Sequence, residues 1–131
     1  MATNGNTSEQ KILDWLGTQH GAMLKLLETL VNTDSGSYDK PGVDAVGSHI
    51  RDFLQGHGIA TEVTPDQKFG DAISATVGQS GGGNRPILLM GHRDTVFPKG
   101  EPTRRPFKVE GDRAYGPGVA DMKAGLVMNM F

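Results

Sequence analysis

The sequence predicts an α/β fold in which helices pack on a mixed, mostly parallel sheet. Three observations carry this reading. A helical apolar period runs over residues 9–31 and returns over 43–54. The period then changes to strand-like alternation between 59 and 77. Finally, an uninterrupted apolar run at 86–90 precedes a further helical stretch that begins at 124. Helices, then strands, then a helix make a layered architecture around one core.

Each element has a local cause. Residues 1–8 are polar and read as a flexible tail, with the domain proper over 9–131. Ile12, Trp15 and Leu16 share one helical face, followed by Met23, Leu26, Leu27, Leu30 and Val31. Gly17 and Gly21 interrupt that stretch, which predicts one bent helix or two in succession. The string Asn32-Thr33-Asp34-Ser35-Gly36-Ser37 ends it with turn chemistry. Pro41-Gly42 opens a second amphipathic helix through Val43, Val46, Ile50, Phe53 and Leu54, closed by Gly56 and Gly58. Residues 59–64 and 71–77 alternate as strands do. Residues 80–84 read as a loop. The run Pro86-Ile87-Leu88-Leu89-Met90 suits a strand buried on both faces. Residues 107–115 read as a small hairpin, followed by the turn Gly116-Pro117-Gly118 and an apolar helix from Ala124.

Composition excludes several classes. The 131 residues carry a net charge of −2, and the isoelectric point near 6.0 lacks the basic footprint of a nucleic-acid binder. There is no cysteine, so disulfide scaffolds, thiolate zinc sites and thiol nucleophiles are out. The N-terminus has no charged region followed by an apolar one, which argues against a secretory signal and for a cytoplasmic protein. No apolar run approaches the ~20 residues of a membrane span. The last residues, 125–131, lie within an apolar helix that has no cap or stop signal, which predicts a truncated domain.

Two strings could carry chemistry. Gly91-His92-Arg93-Asp94-Thr95-Val96 follows the apolar run. Residues two apart in an extended chain point the same way, so His92 and Asp94 share a face at the carboxyl end of a strand. A neutral imidazole is a common metal ligand, and a carboxylate on its other nitrogen fixes the tautomer. A surface histidine beside a turn aspartate would look the same. Asp121 lies in Gly116-Pro117-Gly118-Val119-Ala120-Asp121-Met122-Lys123, where glycines permit close backbone approach to a ligand; a plain helix N-cap is the competing reading. His20, His49 and His57 have ordinary helical explanations. Ser35 and Ser37 lack the Gly-x-Ser-x-Gly elbow of a serine nucleophile.

Taken together, several strings closely resemble the glutamate carboxypeptidase type of dinuclear zinc metallopeptidase, grouped with the acetylornithine deacetylases, succinyl-diaminopimelate desuccinylases and aminoacylases. They are residues 88–97 around His92-Arg93-Asp94, Arg105-Pro106-Phe107, Gly111 to Gly118, and Ala120-Asp121-Met122-Lys123. Residues 26–32 and 34–37 are similar to that family's first helix and its exit.

The resemblance implies the N-terminal part of a zinc-exopeptidase catalytic domain. It makes His92 a ligand to one zinc and Asp121 the carboxylate bridging two. Asp94 becomes the catalytic positioning residue behind His92, and the Asp121–Met122 peptide bond is expected to be cis. The implied cofactor is Zn2+, two per complete site; Co2+ or Mn2+ would suit the same nitrogen and oxygen donors. The implied reaction is hydrolysis of an amide in a small peptide or N-acyl amino acid by a metal-activated water. Nucleic acid and membranes are not expected partners, and relatives point to a homodimer. The family's general base and remaining ligands have no counterpart in these residues, so this chain alone is expected to be inactive. The alternative is a non-catalytic domain serving as an interaction module. Arg93 departs from the family, where an apolar residue is common, and its side chain is expected to point away from the metals.

Overall fold

The computed structural model describes residues 7–78 and 85–131. Residues 1–6 of the expected tail and the expected loop at 80–84 lie outside the described residues. The rest forms a small mixed helix and strand domain.

The first helical stretch is two helices, α1 (Ser8–Thr18) and α2 (His20–Val31). Thr7 caps α1 by accepting from the Gln10 N–H at 3.2 Å. The break falls at Gln19, between the two glycines. α1 buries no residue; its Trp15 ring lies 6.5 Å from that of Phe131. α2 buries Leu27, Leu30 and Val31, the face its period predicts. α3 (Lys40–Gly56) starts with Pro41 in its first turn, where no intrahelical N–H is needed, and buries Val43, Val46 and Gly47.

Two antiparallel pairs supply the strands. β1 (Thr61–Thr64) pairs with β2 (Ala72–Ala75), Val63 opposite Ile73. After the one-turn helix α4 (Glu101–Arg104), which the sequence reading omits, β3 (Lys108–Glu110) pairs with β4 (Arg113–Tyr115). Gly111, at φ 61°, makes the tight turn between them. A turn through Val119–Lys123 leads into α5 (Ala124–Met130). The core is Leu27, Leu30 and Val31 of α2, Val46 of α3 and Val127 of α5. No described helix is long and apolar enough to cross a membrane.

The sheet differs from the expectation. The named strands are all antiparallel, and parallel pairing among the described residues is a single bridge, Gly36 to Thr95. Residues 86–90 are not a buried strand. They make no ladder, and Ile87 and Leu88 are 89% and 79% exposed. An apolar run records a preference for burial, but a strand exists only where a neighbour satisfies its N–H and C=O groups.

Packing sets two contrasting substitution costs. Leu30→Ala removes a fully buried side chain and is expected to cost ~2–5 kcal/mol. Leu88→Ala acts on an exposed one and is expected to stay within about 0.5 kcal/mol. Urea unfolding of both variants measures the difference, and equal costs would contradict this account of the core.

Candidate functional site

The segment 91–97 crosses the molecule between the loop leaving α2 and the turn before α5. On one side it is sewn to the loop. Thr95 N–H donates to Ser35 O at 2.7 Å, and Ser37 N–H donates to Thr95 O at 3.0 Å. A Cβ on Gly36 would lie 2.9 Å from Phe97 O, so this approach needs glycine. On the other side, Gly118 sits at φ 74°, and a Cβ there would come within 2.5 Å of the Thr95 methyl. These glycines let three backbone segments meet.

Arg93 faces away from the site, as expected. Its Nε donates to Val43 O at 2.9 Å, its Nη2 donates to Asp71 O, and Nη2 lies 3.5 Å from Asp44 Oδ1. The side chain is 14% exposed and fills the space beside Gly47 and Gly70. With Arg93 pinned to one face of an extended segment, His92 and Asp94 are turned to the other.

The expected convergence is present. His92 Nε2 lies 2.9 Å from Asp121 Oδ1, although 29 residues separate them. His92 Nδ1 lies 3.2 Å from Asp94 Oδ1 and 3.1 Å from the Asp94 carbonyl. Asp121 reaches His92 because the backbone leaves helical geometry at Asp121 and Met122. The peptide bond between them is cis. Lys123, next in line, is buried and donates to Leu30 O at 2.7 Å and Thr33 O at 3.1 Å. Burial pushes its ammonium down to about 8, against the opposing charge of Asp34. The turn is thereby tied to the end of α2.

Charge distribution follows from these contacts. Burial is the largest single influence on His92 and pulls its pKa down. The hydrogen bond to Asp121, the Asp94 carbonyl and both carboxylate charges outweigh it, so the net direction is up. The Ser37 hydroxyl holds the Asp94 carboxyl below its ordinary value, against burial, with help from His92.

His92, Asp94 and Asp121 line a cleft of about 300 Å³ with Thr95, Phe97 and Gly118. A larger cleft of about 670 Å³ lies across residues 95–97, beside Tyr38, Asp39 and Lys99, and contains none of the three. The smaller one holds the imidazole and both carboxylates. An imidazole nitrogen and a carboxylate oxygen aimed at one spot are donors that suit zinc. Among the described residues no group of three or more such side chains converges. The pair therefore fits part of a site, since a catalytic zinc takes three protein ligands.

Sequence reasoning did not give roles to Ser37, Lys123 or the guanidinium of Arg93. Their partners lie 57, 93 and 50 residues away, and no local spacing signals such contacts.

Residues 88–131, which contain His92, Asp94 and Asp121, match the family model described as Peptidase family M20/M25/M40. The chain belongs to this family. It is 42% identical over 106 residues to carboxypeptidase G2 of Pseudomonas sp. (strain RS-16), covering 79% of this chain and 25% of that protein. Against acetylornithine deacetylase of Yersinia pseudotuberculosis serotype O:1b (strain IP 31758) it is 33% identical over 111 residues, covering 76% and 28%. Succinyl-diaminopimelate desuccinylase of Gluconobacter oxydans (strain 621H) is 38% identical over 78 residues, covering 56% and 20%. The chain thus spans about a quarter of the length of the relatives it matches.

Two outcomes follow. Because the folded-state pKa of His92 is raised, its stabilising contribution is full below its ordinary 6.5 and is lost as pH rises through the folded value. Asp121→Asn should lower the His92 pKa in an NMR titration and flatten that loss; an unchanged pKa would contradict the pairing. Arg93→Leu strips donors from Val43 O and Asp71 O and is expected to cost ~1–3 kcal/mol in denaturant unfolding.

Proposed function

We propose that this chain provides part of the active site of a zinc-dependent amide hydrolase acting on a peptide or N-acyl amino acid. The observation that supports it most is the 2.9 Å approach of His92 Nε2 to Asp121 Oδ1, with Nδ1 turned to Asp94. In this reading His92 and Asp121 would hold zinc, Asp121 as a carboxylate shared between two ions, and Asp94 would keep the Nδ1 proton in place. Bound zinc supplies polarisation of the substrate carbonyl and a water of lowered pKa. The family membership and the hydrolase names of the relatives support the reaction class.

The chain's own residues then have distinct tasks. His92 gives its Nε2 lone pair while its Nδ1–H stays bonded to Asp94. Asp121 is 88% exposed in its side chain and is free to turn toward a second ion. Thr95 and Phe97 form the wall against which the acyl group packs. In the same reading, residues 86–90 become an inner strand of a mostly parallel sheet once further strands pair with them. Their exposed apolar side chains support this, since contiguous apolar surface marks a contact region.

Two donors leave zinc under-coordinated, so residues 1–131 alone are expected to bind zinc weakly and turn over no substrate. The longest reading frame carrying this sequence is the active form in this proposal. The test assays both with zinc on N-acyl-glutamate, N-acetylornithine and N-succinyl-diaminopimelate. Activity in the long form should fall to background in His92→Ala and in Asp121→Ala. Full activity in either variant, or His92-dependent turnover by residues 1–131, would overturn the proposal.

A further inference from the structure

We propose that Ser37 is a positioning residue whose hydroxyl locks the Asp94 carboxylate so that His92 carries its proton on Nδ1 and presents a bare Nε2. The argument starts from the backbone. The parallel bridge between Gly36 and Thr95 fixes the register of the α2 exit loop against the 91–97 segment. In that register the Ser37 Oγ stands 2.5 Å from Asp94 Oδ2 and 3.2 Å from Thr95 O. A hydroxyl has one proton to give. The charged acceptor at the shorter distance takes it, because charge-assisted hydrogen bonds are the shorter and stronger ones.

The consequence falls on the other carboxylate oxygen. With Oδ2 tied to Ser37, Oδ1 is held toward His92 Nδ1 at 3.2 Å. A neutral imidazole has one N–H, and two carboxylates compete for it, since Asp121 Oδ1 stands at Nε2. A proton on Nε2 would block metal binding at that nitrogen; a proton on Nδ1 leaves it open. Asp121 stands closer, at 2.9 against 3.2 Å, but its carboxylate is 88% exposed and solvated, whereas Asp94 is 37% exposed with its plane fixed. The Asp94 carbonyl at 3.1 Å adds a second acceptor on the Nδ1 side, so the proton is held on Nδ1. Ser37 therefore acts through Asp94 and touches no substrate. The value of the bare Nε2 rests on His92 being a metal ligand; the tautomer itself does not.

The test separates these two claims. The 15N-labelled chain, free of metal and above the pH range of the His92 titration, is examined by two-bond 1H–15N correlation, which reads the tautomer directly. The wild-type ring is expected mainly as Nδ1–H. Ser37→Ala keeps the backbone N–H bond to Thr95 but loses the hydroxyl, and should shift the tautomer ratio about tenfold toward Nε2–H. Ser37→Thr restores the hydroxyl and should return the ratio to the wild-type value. In an Asp94→Asn background, Ser37→Ala should change nothing further, because the path through the carboxylate is gone. If the alanine variant does not fold, Ser37→Cys, with its weaker donor, is read the same way. An unchanged ratio in the alanine or cysteine variant, or an equal shift in the Asp94→Asn background, overturns the role of Ser37. A second arm adds zinc. Ser37→Ala should weaken binding about 10–100-fold, the usual effect of losing an outer partner of a metal-bound histidine. A tautomer shift with no zinc effect on wild-type His92 would support the positioning role and overturn the metal site.

Discussion

The loop that leaves α2 and the segment that carries His92 are joined at Thr95, whose N–H donates to Ser35 O and whose carbonyl accepts from Ser37 N. Every functional contact depends on that seam. It sets Ser37 against Asp94, and so Asp94 against His92. It also brings the Thr95 methyl under Gly118, where a side chain would collide, so the turn bearing Asp121 closes over the same residue. A shift of one residue in the seam would turn His92 and Asp94 to the opposite face, because side chains in extended segments alternate.

The seam is held from outside by two cationic side chains, the part-buried Arg93 and the buried Lys123. Arg93 fixes the far face of the His92 segment to Val43 O and Asp71 O. Lys123 fixes the turn after Asp121 to the carbonyls at the end of α2. Both donate to backbone carbonyl oxygens, Arg93 to Val43 O and Asp71 O and Lys123 to Leu30 O and Thr33 O. The acidic site is thus framed by positive groups that point away from it. Burial pulls the His92 pKa down, but its hydrogen bonds to Asp121 and the Asp94 carbonyl and the two carboxylate charges carry it upward.

Parts of this were legible in the sequence. α2 and α3 follow from their apolar period, since burial of Leu27, Leu30, Val43 and Val46 is what that period encodes. The hairpin at 108–115 follows from alternation around Gly111. His92 and Asp94 are paired by a spacing of two in an extended chain. Asp121 comes into the site through motif resemblance and not through spacing. Ser37 and Arg93 carry no local signal, because Ser37 acts across 57 residues and Arg93 across 22 and 50. The run at 86–90 misleads for the complementary reason. Its composition favours burial, but burial is decided by neighbouring strands, and the described residues pair none with it.

The central claim is that His92 and Asp121 are donors to one metal ion. X-ray absorption at the zinc edge tests it most directly, on the zinc-loaded chain and on its His92→Ala form. The account predicts a first shell of nitrogen and oxygen at about 2.0–2.2 Å that includes one imidazole, with imidazole scattering lost in His92→Ala. The sequence holds four histidines. Imidazole scattering that survives the His92 substitution would place zinc on another of them and contradict the account.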